Sequence, residues 1–134
     1  MEKELIINSF KNEVDIALLE DKFLVELHKE KLDNNYAVGD VYLGRVRKIM
    51  PGLNAAFIDV GYEKDGFLHY LDLGPQVKSL NKFVRYALST KGPQPDITNF
   101  RLESDIEKTG KISHVLKTNQ HIAVQIVKEP ISTK

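Results

Sequence analysis

The sequence predicts a mainly β protein of 134 residues, and three observations support that class. Residues 41–49 are rich in β-branched and aromatic side chains, which favour a pleated strand. Turn-forming segments follow at 50–52, where a proline presets φ and Gly52 permits positive φ, and at the glycine-bounded stretch 61–66. Between and after these turns, residues 54–60 and 66–70 form a second strand and a short third strand.

Residues 1–35 predict a small β-meander ahead of these three strands. Apolar and other residues alternate over 14–19 and again over 23–28, and the polar triplet between them predicts a hairpin turn. A short apolar run at 5–7 adds a strand. The segment is acidic, with five lysines against nine acidic residues, a net charge of −4. Residues 29–36 are polar and predict a linker.

A partly helical insertion is predicted after the third strand, over about residues 75–111. Residues 71–73 predict a short helical turn. Residues 76–88 predict an amphipathic helix, because apolar residues recur there at helical spacing: Val77, Leu80, Phe83 or Val84, and Leu88. Its polar face is basic, with Lys78, Lys82 and Arg85. The helix either packs on the strands or extends a binding surface. Prolines and glycine predict a loop over 90–96.

The last part of the chain predicts a return to β structure. Residues 112–116 predict a short turn or edge segment. Residues 121–127 alternate in side-chain type and predict a fourth strand of the central sheet, which ends at Lys128.

The predicted strands place two phenylalanines on one face. Phe57 shares its face with polar neighbours, whereas the opposite face of the same strand suits a core. Antiparallel pairing of the second and third strands would join Phe57, Phe67 and His69 in one exposed patch. Four residues are near enough in sequence to border it: Tyr42, Arg45, Arg47 and Lys64. Lys128 is a further candidate for RNA binding. Single-stranded nucleic acid binds such surfaces, because bases stack on rings and phosphates meet cations. The alternative is that both phenylalanines are core residues of a small barrel.

Composition excludes several other classes of protein. The absence of cysteine excludes disulfides and cysteine-based zinc sites. No apolar run is long enough to span a membrane, and the first ten residues lack a signal-peptide pattern, so a cytoplasmic location is expected. The formal net charge is zero, which argues against a strongly basic binder, but residues 75–128 hold nine Lys and Arg against four acidic residues, a net of +5.

The sequence predicts neither a catalytic site nor a metal site. The four histidines are scattered without metal-ligand spacing. Asp59 lies at a strand end and Asp65 in a turn, where aspartate is ordinary, and Asp72 lies within the predicted short helical turn. Phosphate-binding loop and nucleophile-elbow motifs are absent.

Three ordered motifs carry a family resemblance. The sequence VYLGRV at 41–46, then AAFID at 55–59 and GFLH at 66–69, resembles the S-one-type RNA-binding domain, a five-stranded OB-fold barrel. More narrowly, PGLNAAFIDVGYEKDGFLHYLDL at 51–73 is similar to a signature stretch of the bacterial ribonuclease E/G family. The resemblance covers residues 1 to about 74 and resumes over about 112–129.

The resemblance implies a domain organisation. Residues 36–129 would form the OB-fold domain, interrupted by the insertion at about 75–111, and 1–35 would be the leading β segment of a ribonuclease H-like subdomain. Residues 130–134 would be a truncated tail, and the closing fifth strand of the barrel would be missing. An open sheet edge of this kind favours dimerisation or strand borrowing.

The resemblance also implies a function, which is guiding single-stranded RNA toward the catalytic domain of an endoribonuclease of RNA processing and decay. The family's two stacking phenylalanines fall on Phe57 and Phe67, and an RNA-facing histidine of the wider family falls on His69. Leu43 stands where some relatives have a lysine. The family's magnesium-bearing catalytic domain lies outside this chain, so this chain is expected to be inactive alone and to need no cofactor, while the parent protein is a candidate homo-oligomer. The competing interpretation is an OB-fold module for protein interaction or self-association without an RNA role.

Overall fold

The computed structural model of the chain describes residues 1–31, 37–89 and 98–130. The chain divides into two compact units, Met1–Asn35 and Tyr36–Lys134. The predicted loop at 90–96 lies outside the described residues, as do most of the predicted linker at 29–36 and of the tail at 130–134.

The first unit is a three-stranded antiparallel sheet in the order β1-β2-β3. Its strands are β1 (Lys3–Ser9), β2 (Glu13–Glu20) and β3 (Phe23–Lys31). Asp21 and Lys22 join β2 to β3, and both have left-handed backbone, with φ of 47° and 71°. A two-residue loop with positive φ at both positions matches the right-handed twist of a hairpin. The predicted meander is confirmed.

The second unit is built on a curled four-stranded antiparallel sheet in the order β6-β5-β4-β7. Its strands are β4 (Val41–Met50), β5 (Ala55–Asp59), β6 (Gly66–His69) and β7 (His121–Gln125). The predicted mainly β class is confirmed, and this sheet is consistent with an OB-like fold.

The connection between β4 and β5 differs from the sequence prediction in one respect. Pro51–Leu53 form a 3-10 helix, and the left-handed residue is Asn54, with φ of 51°, not Gly52. The Asn54 side chain donates to the carbonyl oxygen of Gly110 at 3.1 Å and accepts from the amide of Ile112 at 2.7 Å. Asn54 therefore ends the turn and also joins it to a segment more than fifty residues away.

The core of this unit lies against the inner face of the sheet. The buried cluster combines residues of three strands with residues of the two connecting segments: Val46, Ala56, Ile58, Tyr70, Ile112, Leu116 and Ile122. Gly44 lies on the same face, and a Cβ added there would meet the Ile58 Cγ2 at 2.6 Å. Glycine at position 44 thus allows Ile58 to pack directly on the β4 backbone.

The helix α1 (Val77–Ser89) confirms the predicted helix, but its buried face was only partly predicted. Leu80 and Leu88 are 44% and 54% exposed, whereas polar residues are buried beside valines: Val77, Ser79, Asn81 and Val84. The Ser79 hydroxyl accepts from the amide of Glu103 at 2.9 Å. The segment after residue 98 therefore runs along a side of the helix that the apolar pattern does not mark.

Candidate nucleic-acid interface

The outer face of the four-stranded sheet carries a pair of aromatic rings. Phe57 on β5 and Phe67 on β6 are direct cross-strand partners, and Ala55 is opposite His69. The ring centroids of the two phenylalanines are 5.8 Å apart with an interplanar angle of 64°, an edge-to-face contact. Phe67 is 56% exposed and Phe57 is half-buried. The structure therefore brings together the two rings that the sequence predicts in one patch.

His69 lies on the same face as this pair, and part of its hydrogen-bonding capacity is used within the fold. Its Nδ1 accepts from the amide of Leu71 at 3.1 Å, and its own amide donates to the Asp72 carboxylate at 2.9 Å. These bonds cap the 3-10 helix Tyr70–Asp72. With Nδ1 as an acceptor, the neutral ring carries its proton on Nε2, which leaves that edge as the donor available to a ligand.

Lys48 completes the patch, and alternation along the sequence does not predict it there. The β4–β5 register shifts between Val46 and Lys48, so Val46 is opposite Ile58 but Lys48 is opposite Phe57. Strict alternation would place Lys48 on the inner face with Val46. A bulge at this point turns it outward instead, where it is exposed.

The two predicted arginines form a network with acidic residues beside the rings. The Arg47 guanidinium contacts the carboxylates of Asp59 and Asp65, both at 3.0 Å. Arg45 lies 3.5 Å from Asp59 and also donates to the Oδ1 of Asn119 at 2.8 Å. Each guanidinium is thus near the patch but is already partly neutralised within the protein.

Asp59 is the electrostatic centre of that network. The amide of Gly61 donates to its Oδ1 at 2.9 Å, and this bond lowers the pKa of the carboxyl below its ordinary value of 3.8. Partial burial opposes the shift, and the positive charges of Arg47 and Arg45 add to it. The carboxylate is therefore ionised at neutral pH and holds both arginines in position.

The structure separates the other predicted residues. Tyr42 pairs with Val124 on the inner side of the sheet, where its hydroxyl donates to Asp40 at 2.8 Å, so it does not join the rings. Lys64 is exposed in the turn between β5 and β6, three residues before Phe67.

Lys128, also exposed, lies far along the sheet from the rings. It follows Gln125, which pairs with Val41. Val41 lies roughly 20 Å along β4 from Lys48, at about 3.3 Å per residue. Lys128 is therefore not part of the aromatic patch.

Within residues 1–31, 37–89 and 98–130, no group of three or more His, Asp or Glu side chains is placed to hold a metal ion. Asp59 and Asp65 have arginine partners, which further disfavours them as cation ligands. In the same ranges, no helix has the length and apolar character needed to cross a membrane.

Comparison with known proteins finds similarity to bacterial ribonucleases. The chain is 34% identical over 131 residues to ribonuclease G of Haemophilus influenzae. That match covers 98% of this chain and 23% of the Haemophilus protein. It is 29% identical over 134 residues to ribonuclease G of Escherichia coli, covering 24% of that protein. A 98-residue match at 37% identity to ribonuclease E of Synechocystis covers 72% of this chain and 10% of that protein.

No protein-family model matches the chain. The chain spans about a quarter of the length of its ribonuclease G relatives. The similarity extends over essentially all of this chain, through both units and the aromatic patch. The chain belongs to the ribonuclease E/G family.

Proposed function

We propose that this chain binds single-stranded RNA on the outer face of its four-stranded sheet and guides it to the catalytic domain of an RNA-processing ribonuclease. The observation that carries the proposal is the cross-strand pair Phe57–Phe67, which leaves apolar rings in contact with solvent beside Lys48. An exposed aromatic pair next to a cation offers a stacking platform and a phosphate contact in the same place.

The charge of the patch favours binding of single-stranded RNA over duplex RNA. Arg45 and Arg47 are partly neutralised by Asp59 and Asp65, so most of the attraction must come from the rings and a few cations. Duplex RNA keeps its bases stacked internally and is recognised mostly through its backbone and minor groove, whereas splayed bases of single strands stack on aromatic side chains. A sheet face with two accessible rings fits the second mode.

Cleavage belongs, in this proposal, to a part of the protein outside this chain. The whole protein would be a magnesium-dependent endoribonuclease of RNA processing and decay, located in the cytoplasm and able to form homo-oligomers. Asp59 and Asp65, beside the rings, are engaged with arginines. This chain would bind RNA without cutting it.

The direct test is to measure the affinity of the 134-residue chain for a fluorescent oligouridylate by anisotropy. Phe57→Ala and Phe67→Ala should each weaken binding by about 1–3 kcal/mol, the usual contribution of one base–aromatic stack. That loss corresponds to roughly 5- to 150-fold in Kd. A double-stranded RNA of matched length should bind more weakly than the single strand.

Phe23→Ala is the matched control, because Phe23 is a 76% exposed phenylalanine in the first unit. Its affinity for RNA should equal that of the unmodified chain. The proposal is wrong if Phe57→Ala and Phe67→Ala, shown to be folded by their NMR spectra, bind RNA as tightly as the Phe23→Ala variant does.

A second candidate function is protein interaction or self-association, and the first unit favours it. Its sheet exposes several large apolar side chains, of a kind that often marks an interaction surface: Leu5, Ile7, Phe23, Leu24 and Leu27. Sedimentation equilibrium over a range of concentrations separates the candidates. A mass that rises with concentration, without any response to RNA, would support self-association as the function.

A further inference from the structure

A groove in the second unit lies beside the sheet, outside the aromatic patch. It has a volume of about 630 Å³ and lies between the C-terminal turn of α1 and the turn before β7. Arg85, Leu88 and Ser89 line it from the helix, and residues 117–121 line it from the turn. It is broad and open, which suits a chain-like ligand that passes through, more than an enclosed small molecule.

One wall of the groove is held firmly to β4. The amide of Asn119 donates to the carbonyl oxygen of Val46 at 2.7 Å, and the amide of Val46 donates to the carbonyl oxygen of Gln120 at 2.8 Å. The side chain of Gln120 also accepts from the amide of Lys117 at 2.9 Å, which closes the turn. The groove is therefore fixed relative to the sheet that carries the rings.

The lining has the chemistry of a nucleic-acid contact. Arg85 and Lys117 supply positive charge, His121 supplies a flat ring, and none of the described lining residues is acidic. Leu88 is 54% exposed in the same groove and offers apolar surface to a base or a ribose. Cations beside a ring and an apolar side chain repeat the combination found at the aromatic patch.

A continuous line of residues connects the groove with the rings. His121 is the cross-strand partner of Arg45, and Arg45 donates to Asn119 in the groove wall. Arg45 in turn is opposite Asp59, two residues from Phe57 on β5. Since neighbouring strands are about 4.8 Å apart, His121 lies roughly 10 Å across the sheet from β5. A single RNA strand can span this distance without leaving the surface.

We infer that the groove is a second subsite for single-stranded RNA, in which Arg85 and Lys117 bind phosphates of nucleotides that flank those stacked on Phe57 and Phe67. The inference rests on the proposed function and deepens it. The aromatic patch holds the bases and the groove sets the path of the strand across the sheet. RNA that is too short to reach the groove uses the rings alone.

The experiment compares two oligouridylates, of about four and about ten nucleotides, within the range of single OB folds. The chain should bind the longer one more tightly. The double variant Arg85→Ala/Lys117→Ala should bind the longer RNA about tenfold more weakly. The magnitude of the slope of log K against log salt should decrease by about 1.4, which is two phosphate contacts at about 0.7 each. Binding of the shorter RNA should stay unchanged.

The double variant Lys108→Ala/Lys111→Ala is the control, because it removes the same charge from exposed sites elsewhere. Gly110, between them, accepts a hydrogen bond from Asn54, which follows the Met50 end of β4, whereas the groove wall is bonded to Val46 in the middle of that strand. NMR provides a second readout: the longer RNA should shift the amides of Lys117 and His121, and the shorter RNA should leave them in place.

The possible outcomes separate this inference from the proposed function. If Phe57→Ala weakens both RNAs but the groove variant binds the longer RNA like the control variant, the second subsite is refuted and the proposed function stands. If the unmodified chain binds neither RNA, the proposed function is refuted and the subsite with it.

Discussion

Phe57 and Phe67 face each other across adjacent strands, with their rings edge to face at 5.8 Å between centroids. Because each ring packs against the other, removing either one should affect both the stability of the second unit and its affinity for RNA. Phe57→Ala removes a half-buried ring and should lower the free energy of unfolding by about 2 kcal/mol, whereas Phe67→Ala, at a 56% exposed site, should lower it by about 1 kcal/mol.

The substitution Phe67→Leu separates the two effects. Leucine retains apolar contact with Phe57 but has no flat ring for a base, so stability should stay within about 0.5 kcal/mol while RNA affinity falls nearly as far as in Phe67→Ala. Urea unfolding followed by tyrosine fluorescence measures the stability of the second unit alone, because all five tyrosines lie between residues 36 and 86. Unchanged RNA affinity in Phe67→Leu would show that stacking is not what the ring supplies.

Lys48 and Arg47 should contribute unequally to RNA binding, although they are neighbours. Arg47 is engaged by two carboxylates at 3.0 Å, whereas Lys48 is exposed opposite Phe57. Lys48→Gln should therefore reduce the salt slope of RNA binding by about 0.7, one phosphate contact. Arg47→Gln should reduce it less, and a larger effect for Arg47 than for Lys48 would contradict this interpretation.

Gly44→Ala should destabilise the second unit. The added Cβ would lie 2.6 Å from the Ile58 Cγ2 and 3.3 Å from the carbonyl oxygen of Asp59, so β4 and β5 would have to shift. Overpacking of this kind costs about 2 kcal/mol. Gly74→Ala is the control, since nothing lies within 4 Å of a Cβ at that position. Equal urea midpoints for the two variants would contradict the close packing of Ile58 on Gly44.

Asn54 should be needed for both its backbone and its side chain. Asn54→Gly keeps the left-handed conformation and loses the bonds to Gly110 and Ile112, which should cost about 1–2 kcal/mol. Asn54→Ala loses the same bonds and adds about 1 kcal/mol of left-handed strain. Urea unfolding should therefore rank the alanine variant below the glycine variant, and the reverse order would contradict a left-handed Asn54.

Asp59 should make the stability of the second unit depend on acid pH. Its pKa in the folded chain is lowered from 3.8, so ionised Asp59 stabilises the fold above that value, and the stabilisation is lost as the pH falls through the lowered pKa. The difference in unfolding free energy between the unmodified chain and Asp59→Asn should be constant near neutrality and shrink below about pH 4. A difference that persists unchanged to the lowest pH at which the unit remains folded would refute this. An NMR titration should place the Asp59 midpoint below 3.8.

Local sequence determined most of the secondary structure. Alternation, β-branched and aromatic composition, and one short apolar run predicted the seven strands of the described residues, and helical spacing predicted α1 to within a residue at each end. Dense turn chemistry, such as the proline and glycine after β4, marked the ends of elements. These features could be predicted because periodicity and turn preference are properties of neighbouring residues along the chain.

The candidate site was predictable in part, because part of it is also built from residues that are close in sequence. Phe57 and Phe67 are few residues apart and joined by one turn, so an antiparallel hairpin brings them together once both lie on the outer face. The resemblance to the ribonuclease E/G family named the same two residues. Tyr42 is close to them in sequence, but the register puts it on the other face of the sheet.

Tertiary structure alone decided the remaining features. The bulge after Val46 turned Lys48 toward Phe57, and Ser79, not Leu80, became a buried residue of α1 because the segment at Glu103 packs against that side. The groove joins Arg85 to Lys117 across thirty-two positions of sequence. Each of these features depends on which distant segments pack together. That packing is set by the whole unit, and the local sequence pattern does not specify which distant segment a residue will contact.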